Sequence, residues 1–216
     1  IALILLFFMV LLGGCQMGRE LKPSEMHPDD LPDERAFQDE FTREFLQSVE
    51  ETRPGYYPFL SKTGKYEMDF PSGGKIGNKQ YSLENEIFEG LSVGVNNTEQ
   101  ESAFTLFYFG GNDKTSIDTN LDAFKKRVGE RIEYKKIENN DKITFYSNFK
   151  DNDFDNHVAY IQNNNKPGAI ELIYFIDCQT EKGCNKDNQR IFLEWIDTIQ
   201  FIDVEKEGVE NERKNN

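Results

Sequence analysis

The first fourteen positions, Ile1 to Gly14, are uncharged and almost all apolar, and the chain turns polar soon after them. A helix of this length, with a 1.5 Å rise per residue, would be roughly 21 Å long, short of the ~30 Å hydrocarbon core of a bilayer. Such a run, ending in small residues, is typical of a secretory signal peptide. Since no initiating Met or basic region precedes it, we interpret residues 1–14 as a signal peptide truncated at its N-terminus. A longer anchor helix is the alternative.

The two segments that follow have different patterns. Residues 15–32 contain three prolines and few apolar side chains, and they are predicted to form a flexible tether with ends about 20 Å apart. Within residues 33–52, Phe37, Phe41 and Phe45 recur at helical spacing among acids and arginines, which predicts an amphipathic helix. An aromatic stripe of this kind most often packs into a core, although it can also contact a partner.

Residues 53–204 are predicted to form the folded domain, because short β-type runs alternate there with two helical patterns. The predicted helices lie within 114–129 and 188–199. The predicted strands lie within 65–70, 81–83, 87–95, 103–109, 131–138, 142–149, 157–162, 169–177 and 200–204.

Two of these strands, 103–109 and 169–177, are apolar at almost every position, so we expect both of their faces to be buried. Strands that are covered on both faces need helices on both sides of the sheet. The pattern therefore predicts an α+β fold in which an antiparallel β-sheet is flanked by helices in three layers. The charged tail, residues 205–216, is predicted to be disordered.

The end of the apolar opening, Leu12-Gly13-Gly14-Cys15, resembles the bacterial lipobox, the Leu-small-small-Cys signature of lipoproteins. The resemblance implies cleavage before Cys15 and a thioether-linked diacylglycerol on its sulfur. Each buried methylene contributes about 0.8 kcal/mol, so two or three acyl chains such as palmitate anchor a protein stably. The resemblance thus implies a protein held by lipid on the extracytoplasmic face of the cell membrane.

The charge balance argues against nucleic acid as a partner. The chain has 39 acidic and 25 basic residues, for a net charge of −14, and phosphate backbones attract the opposite balance. An acidic surface also simply keeps a protein soluble. The 18 Phe and nine Tyr are too many for a disordered chain, so most of the sequence is expected to fold.

The remaining cysteines, Cys178 and Cys184, bracket a short polar loop. Outside the cytoplasm an even pair of this kind indicates a disulfide. A metal pair would need further thiol or imidazole ligands, and the chain has only two histidines. The spacing also differs from the Cys-x-x-Cys of redox dithiols. We therefore predict a structural disulfide between Cys178 and Cys184.

Three stretches carry a resemblance to a known fold: YEMDFPSGGKI (66–76), LFYFGGNDKTSIDTNLDAFKKRV (106–128), and YFID with IFLEWIDTIQF (174–177 and 191–201). Their order resembles the Mog1/PsbP-like fold over about residues 56–204, and the chain also resembles small lipoproteins of Gram-positive bacteria. Members of that fold mostly serve as binding and assembly modules, so the resemblance implies a non-catalytic role. It carries over no functional residue, because no sharp motif matches.

Catalytic motifs are incomplete. The segment PSGGKIG resembles a phosphate-binding loop only superficially, because Asp69 stands where a Gly is needed and Ile76 where a Ser or Thr is needed. His157 follows Asp155 by two residues, so two roles stay open for it: a member of a Ser-His-Asp triad in a hydrolase, or a purely structural histidine. We expect no catalytic residue, no cofactor and no bound metal.

One acidic motif is a candidate for calcium. Asp151, Asp153 and Asp155 alternate as in the first half of a calcium-binding loop. Asn156 stands at the position of the turn Gly, and Gln162 stands at the position of the bidentate Glu. A solvated acidic loop between strands is therefore the expected structure.

Taken together, the sequence predicts a lipid-anchored surface protein that acts as a non-catalytic binding or assembly module for an unidentified cell-surface protein. The contact is expected on the aromatic helix face around Phe41 or on loops at one sheet edge. A small-ligand-binding lipoprotein and a cell-envelope hydrolase are the alternatives, and a pocket with converging polar groups would favour either of them.

Overall fold

The fold is described here from a computed structural model, which covers residues 21–96, 101–129, 132–151, 153–179 and 187–202. The strands are β1 Tyr56–Leu60, β2 Tyr66–Pro71, β3 Gly74–Ile76, β4 Ser82–Glu84, β5 Phe88–Asn96, β6 Glu101–Phe109, β7 Lys135–Glu138, β8 Lys142–Asp151, β9 Phe154–Asn163, β10 Ala169–Asp177 and β11 Gln200–Phe201. The α-helices are α1 Arg35–Gln38, α2 Glu40–Arg43, α3 Ile117–Val128 and α4 Asn188–Asp197. The predicted signal peptide, Cys15, Cys184 and tail 205–216 lie outside the described residues.

The strands form two antiparallel sheets. The small sheet has the order β1-β2-β11, and the large sheet has the order β3-β5-β6-β10-β9-β8-β7, with β4 also paired to β5. Hairpins join β7 to β8, β8 to β9 and β9 to β10. The β4–β5 turn contains Asn85 and Glu86 at φ 46° and 56°, in the left-handed region, and the Ile87 N–H closes the turn by donating to the Glu84 carbonyl.

The three-layer α+β architecture predicted from the sequence is confirmed. On one side of the large sheet, α4 and the small sheet enclose the main core, in which Trp195 lies 4.8 Å from the Phe104 ring. On the other side, α3 lies on β8, β9 and β10 and buries Phe124 against Val158 and Tyr160. Strand β9, in the middle of the covered region, is buried on both faces from Asp155 to Asn163.

The single amphipathic helix predicted for residues 33–52 is wrong. The chain forms two four-residue helices, because Asp39 adopts an extended conformation between them and its carboxylate accepts a hydrogen bond from the Thr42 N–H. After α2 the chain turns to run beside β1, where the Leu60 N–H donates to the Phe45 carbonyl. Backbone pairing with β1 thus replaces the helical hydrogen bonds that the aromatic spacing indicates.

The aromatic stripe is core. Phe37 and Phe45 are buried, and the half-buried Phe41 packs edge-on against Tyr81 at 5.3 Å. The predicted partner contact around Phe41 is therefore not available, and a contact surface has to be sought elsewhere.

The predicted tether is ordered over its second half. Residues 21–32 form two short 3-10 turns, Pro23–Glu25 and Pro28–Asp30, each started by a proline with a preset φ. Pro23 is buried, and Leu31 packs against the main core. Residues 15–20 lie outside the described residues.

Lys142 fastens the end of α4 to the large sheet. The residue is only 7% exposed. Its ammonium group donates hydrogen bonds to the backbone carbonyls of Ile196, Asp197 and Ile199 at 3.3, 2.7 and 2.7 Å. These carbonyls belong to the last turn of α4 and to the residues just after it, where intrahelical partners are missing and positive charge is favourable. In the described part of the chain, no helix is long and apolar enough to cross a membrane.

Candidate functional site

The outer surface of β5 and β6 is not covered by either core. Alternation along the strands turns Leu91 and Val93 of β5, and Phe104 and Leu106 of β6, into the main core. The intervening positions point to the opposite side of the sheet, where α3 covers only β8, β9 and β10. We call eight of these outward positions the aromatic face: Phe88, Gly90, Ser92, Gly94, Ala103, Thr105, Phe107 and Phe109. The last outward pair, Asn96 and Glu101, is polar and ends the aromatic face.

The expectation that strand 103–109 is buried on both faces is therefore wrong. Phe104, Leu106 and Tyr108 are buried, whereas Phe107 and Phe109 on the other side are partly exposed and belong to neither core. An apolar run shows that both faces of a strand avoid charge, but it does not say which element covers each face. Here no described element covers the second face.

Three phenylalanine rings dominate one end of the aromatic face. The Phe88 ring lies 6.2 Å from Phe107 and 5.4 Å from Phe109, and the last two rings are 6.5 Å apart. Phe107 also leans over Gly90, since a Cβ placed on this glycine would lie 3.0 Å from the ring. Gly90 therefore allows the ring to lie against the sheet and helps to keep the surface flat.

The rest of the aromatic face is small and neutral. Ser92 and Thr105 sit opposite each other and share a hydrogen bond of 3.1 Å between their hydroxyl groups. At the far end, Gly94 faces open space. None of the eight positions is charged, although 30% of the chain is Asp, Glu, Lys or Arg. Solvated faces of antiparallel sheets usually carry polar and charged residues, so this neutral surface is typical of a binding site.

An ion pair between a buried carboxylate and an exposed guanidinium borders the aromatic face. Glu171 of β10 lies opposite Phe107 in the β10–β6 ladder, and Arg127 reaches from α3 to donate to its carboxylate. The Glu171 side chain is only 5% exposed. Burial raises the pKa of Glu171 to about 7, and the Arg127 guanidinium only partly opposes this shift. This pair joins α3 to β10 where the covered and uncovered parts of the sheet meet.

The β4–β5 hairpin carries two exposed aliphatic side chains. Ile87 is 61% exposed and Leu83 is 44% exposed. The backbone carbonyl of Ile87 accepts a hydrogen bond from the Gly110 N–H, which places the hairpin beside the end of β6. Ile87 lines a cavity together with Tyr108 and Phe201, on the core side of the sheet, and so does not belong to the aromatic face.

The structure buries the histidine that a hydrolase would need. His157 is 1% exposed and lies between Phe192 and Tyr174 on the core side of β9. Its Nε2 is 3.4 Å from the Asp155 carboxylate, which also accepts a hydrogen bond from Asn188 at the start of α4. Burial lowers the pKa of His157, and Asp155 opposes this shift. The geometry suits a structural histidine, because a substrate cannot reach the ring.

The acidic motif is divided between a hairpin and the core. Asp151 ends β8, the Asp153 carboxylate accepts a hydrogen bond from Gln179, and Asp155 turns inward to His157. Within the described ranges, no group of three or more His, Cys, Asp or Glu side chains could hold a metal ion. The three carboxylates are thus not brought together as a calcium loop requires.

Cys178 follows directly after β10, and its N–H donates a hydrogen bond to the Asp153 carbonyl. Its predicted partner, Cys184, lies outside the described residues. The disulfide between them therefore stays a prediction.

Two further buried polar residues are not predicted by the sequence analysis. Glu89 is fully buried in the main core, where its carboxylate accepts hydrogen bonds from the Lys62 N–H and the Tyr81 hydroxyl at 3.0 and 2.9 Å. Burial raises the pKa of Glu89, while these hydrogen bonds lower it. The other group is Lys142, at the floor of a polar cavity of about 380 Å³ that Asn139, Asp197 and neighbouring residues line. Its ammonium group already donates hydrogen bonds to three backbone carbonyls, so it is not available to bind a ligand in the cavity.

The aromatic face itself was missed, although the sequence carries a signal for it. In FEGLSVGVN, residues 88–96, the large aliphatic residues occupy alternate positions and Gly, Ser and Gly fill the positions between them. Such alternation indicates one core face and one open face. Opposite them, β6 places Phe107 and Phe109 on the open face, and this juxtaposition depends on the strand register.

The chain is similar to a lipoprotein of Bacillus subtilis. "Putative lipoprotein YvcA" from Bacillus subtilis (strain 168) is 28% identical over 231 aligned positions, which cover 92% of this chain and 95% of the relative. A solved structure from Bacteroides thetaiotaomicron VPI-5482 has a TM-score of 0.40 and 15% identity, and covers 68% of this chain and 48% of its own. The chain thus spans about half of that solved protein.

A family model with the description "Putative lipoprotein YvcA" matches residues 32–200, which include both sheets and all four helices. The name of the family also contains Mog1p, in agreement with the Mog1/PsbP-like resemblance. The chain belongs to the YvcA lipoprotein family.

Proposed function

We propose that this lipoprotein is a non-catalytic binding module, held by lipid on Cys15 at the extracytoplasmic face of the cell membrane, and that the aromatic face is its contact surface. The lipobox Leu12–Cys15 and membership of a lipoprotein family support the anchor. The observation that carries the binding role is the neutral aromatic surface on β5 and β6, which α3 leaves open.

The chemistry of the aromatic face fits recognition of an apolar surface. Phe88, Phe107 and Phe109 offer flat rings that gain from removal of water, and aromatic residues are enriched where proteins bind one another. The polar side-chain groups among the eight positions are the hydroxyls of Ser92 and Thr105, which hydrogen-bond to each other, and none of the eight residues could act as a base that activates them. The surface therefore supports association and not turnover.

Membrane attachment is tested by comparing wild type with Cys15→Ala. We expect wild-type protein to carry a lipid label and to partition into detergent, and Cys15→Ala to lose both properties. A Cys15→Ala protein that still carries the lipid label would contradict the lipobox interpretation. Membrane retention without label would indicate an uncleaved anchor helix instead.

The contact surface is tested by photo-crosslinking in intact cells. A photoreactive benzoylphenylalanine replaces Phe107 in one variant and Ile137 in a matched control. Ile137 is 48% exposed on β7, at the opposite edge of the same sheet. We expect specific adducts from position 107 and only background from position 137. Equal adduct yields at the two positions would contradict a binding role for the aromatic face.

A further inference from the structure

An apolar surface such as the aromatic face gains free energy when a partner covers it, and the charges of the chain limit which partner that can be. The chain's own C-terminal stretch, residues 203–216, follows β11 and is close enough in sequence to be considered. Eight of its 14 residues are charged, however, and burying them on a neutral apolar surface would cost desolvation energy. This stretch is therefore a poor occupant.

Charge favours a second copy of the chain. With a net charge of −14, two copies repel each other through most of their surfaces. In a two-fold symmetric contact, residues near the axis also meet their own copies, so any charge there faces a like charge. The eight positions of the aromatic face carry none. Charged residues on the same side of the sheet lie at its rim: Glu84 opposite Phe88, Glu101 beyond Ala103, and Glu171, which is paired with Arg127. This surface is thus one through which two such acidic chains can approach.

The area of the aromatic face sets the strength of such a contact. Seven residues along β5, at about 3.4 Å each, and two to three strands, at about 4.8 Å each, give roughly 300 Å² per copy. The total, roughly 600 Å², is well below the ~1,200 Å² of a stable interface. A pair formed through this face should therefore be weak in dilute solution.

The short connection to the membrane offsets that weakness. Only six peptide steps separate Cys15 from Leu21, which begins the described domain, and they can span at most about 20 Å. Since Pro23 and Leu31 already pack on the domain, the tether cannot lengthen without unfolding them. Lipid-anchored copies would then share one thin layer, where confinement raises their effective concentration.

We propose that the aromatic face is self-complementary and pairs two copies of this lipoprotein, face to face, in the plane of the membrane. This inference rests on the proposed function, since it requires both the lipid anchor and a binding role for the aromatic face. It names the partner, which the proposed function leaves open.

The test uses the lipidated full-length protein in neutral phosphatidylcholine vesicles. Thr105→Cys places a thiol near the centre of the aromatic face, and Ile137→Cys serves as the matched control. Under mild oxidation at equal surface density, we expect disulfide-linked dimers of Thr105→Cys to form at least 10-fold faster than those of Ile137→Cys. Adding Phe107→Asp, which places like charges in the contact, should remove this excess. Equal rates for the two thiols would overturn the pairing.

The mass of the adduct from benzoylphenylalanine at position 107 separates this inference from the proposed function. An adduct of twice the chain mass supports self-pairing. An adduct with a different protein overturns self-pairing and leaves the binding role intact. If positions 88, 107 and 109 all give only background, both the pairing and the proposed contact surface are wrong.

Discussion

Glu171 should make the stability of this protein depend on pH in the physiological range. Its carboxyl is 5% exposed, and burial raises its pKa from 4.5 to about 7. Because the folded state binds the proton more tightly than the unfolded state, this contribution is fully present below pH 4.5. It is lost as the pH rises through 7. With the two pKa values given, the loss between pH 5 and pH 8 is about 2.5 kcal/mol of unfolding free energy.

The assay is urea unfolding of wild type and Glu171→Gln at pH 5 and pH 8. The glutamine is nearly isosteric and does not titrate, so subtracting the two proteins removes the contributions of other groups. These include His157 and Glu89, whose pKa values burial lowers and raises, respectively. We expect the free energy of wild type relative to the variant to fall by about 2.5 kcal/mol between the two pH values. A difference that stays constant within about 0.5 kcal/mol would refute the assignment of a raised pKa to Glu171.

Three further predictions concern stability. Phe107→Ser should change the unfolding free energy by less than about 1 kcal/mol. Phe104→Ala, on the core side of the same strand, should lower it by about 3–5 kcal/mol. Equal losses would show that the aromatic face belongs to a core. Lys142→Met should lower the unfolding free energy by about 2 kcal/mol or more, because it removes the hydrogen bonds of a buried cation to the end of α4. The exposed control Lys136→Met should lower it by less than about 0.5 kcal/mol in the same urea titration. Intact mass spectrometry of freshly isolated protein should show Cys178 and Cys184 oxidised to a disulfide. Reduction should lower the unfolding free energy by about 2 kcal/mol. Two free thiols in the isolated protein would contradict this prediction.

The order of the strands from β7 to β10 can be predicted from the sequence, because each of these strands forms a hairpin with the next one. The run from Lys135 to Asp177 alternates strands with Asn- and Gly-rich turns, and each strand pairs with the next one along the chain. Similarly, Ile117, Leu121 and Phe124 share one face of α3, and that face is the one that meets the sheet. Local patterns suffice wherever neighbours in sequence are also neighbours in space.

Where an element's conformation depends on a distant partner, the sequence pattern misleads. The aromatic spacing of Phe37, Phe41 and Phe45 predicts one long helix, but pairing of residues 45–47 with β1 ends the helical course after α2. The prolines of residues 21–32 indicate a tether, yet the same prolines start turns that pack on the domain. In both segments, contacts made in the folded structure outweigh local propensity.

The aromatic face was hidden for a related reason. Its two halves, Phe88 to Gly94 on β5 and Ala103 to Phe109 on β6, are visible as strands in the sequence. Whether α3 lies over them is decided by the path of the chain after Phe109. The loop at residues 110–116 leads α3 onto β8, β9 and β10 instead. For an all-apolar strand such as β6, a strand buried on both faces and a strand with an open apolar face therefore have the same sequence signature.

The most direct measurement of the central claim, that the aromatic face is the working surface of an anchored binding module, is thiol labelling at Thr105→Cys. Membrane-impermeant maleimide is applied to intact cells and to the purified protein in detergent, with Ile137→Cys as the control in both. We expect labelling of Thr105→Cys to be at least 10-fold slower in cells than after purification, while Ile137→Cys reacts at similar rates in both. Equal rates for Thr105→Cys in cells and in detergent would show that nothing covers the aromatic face and would contradict the proposed function.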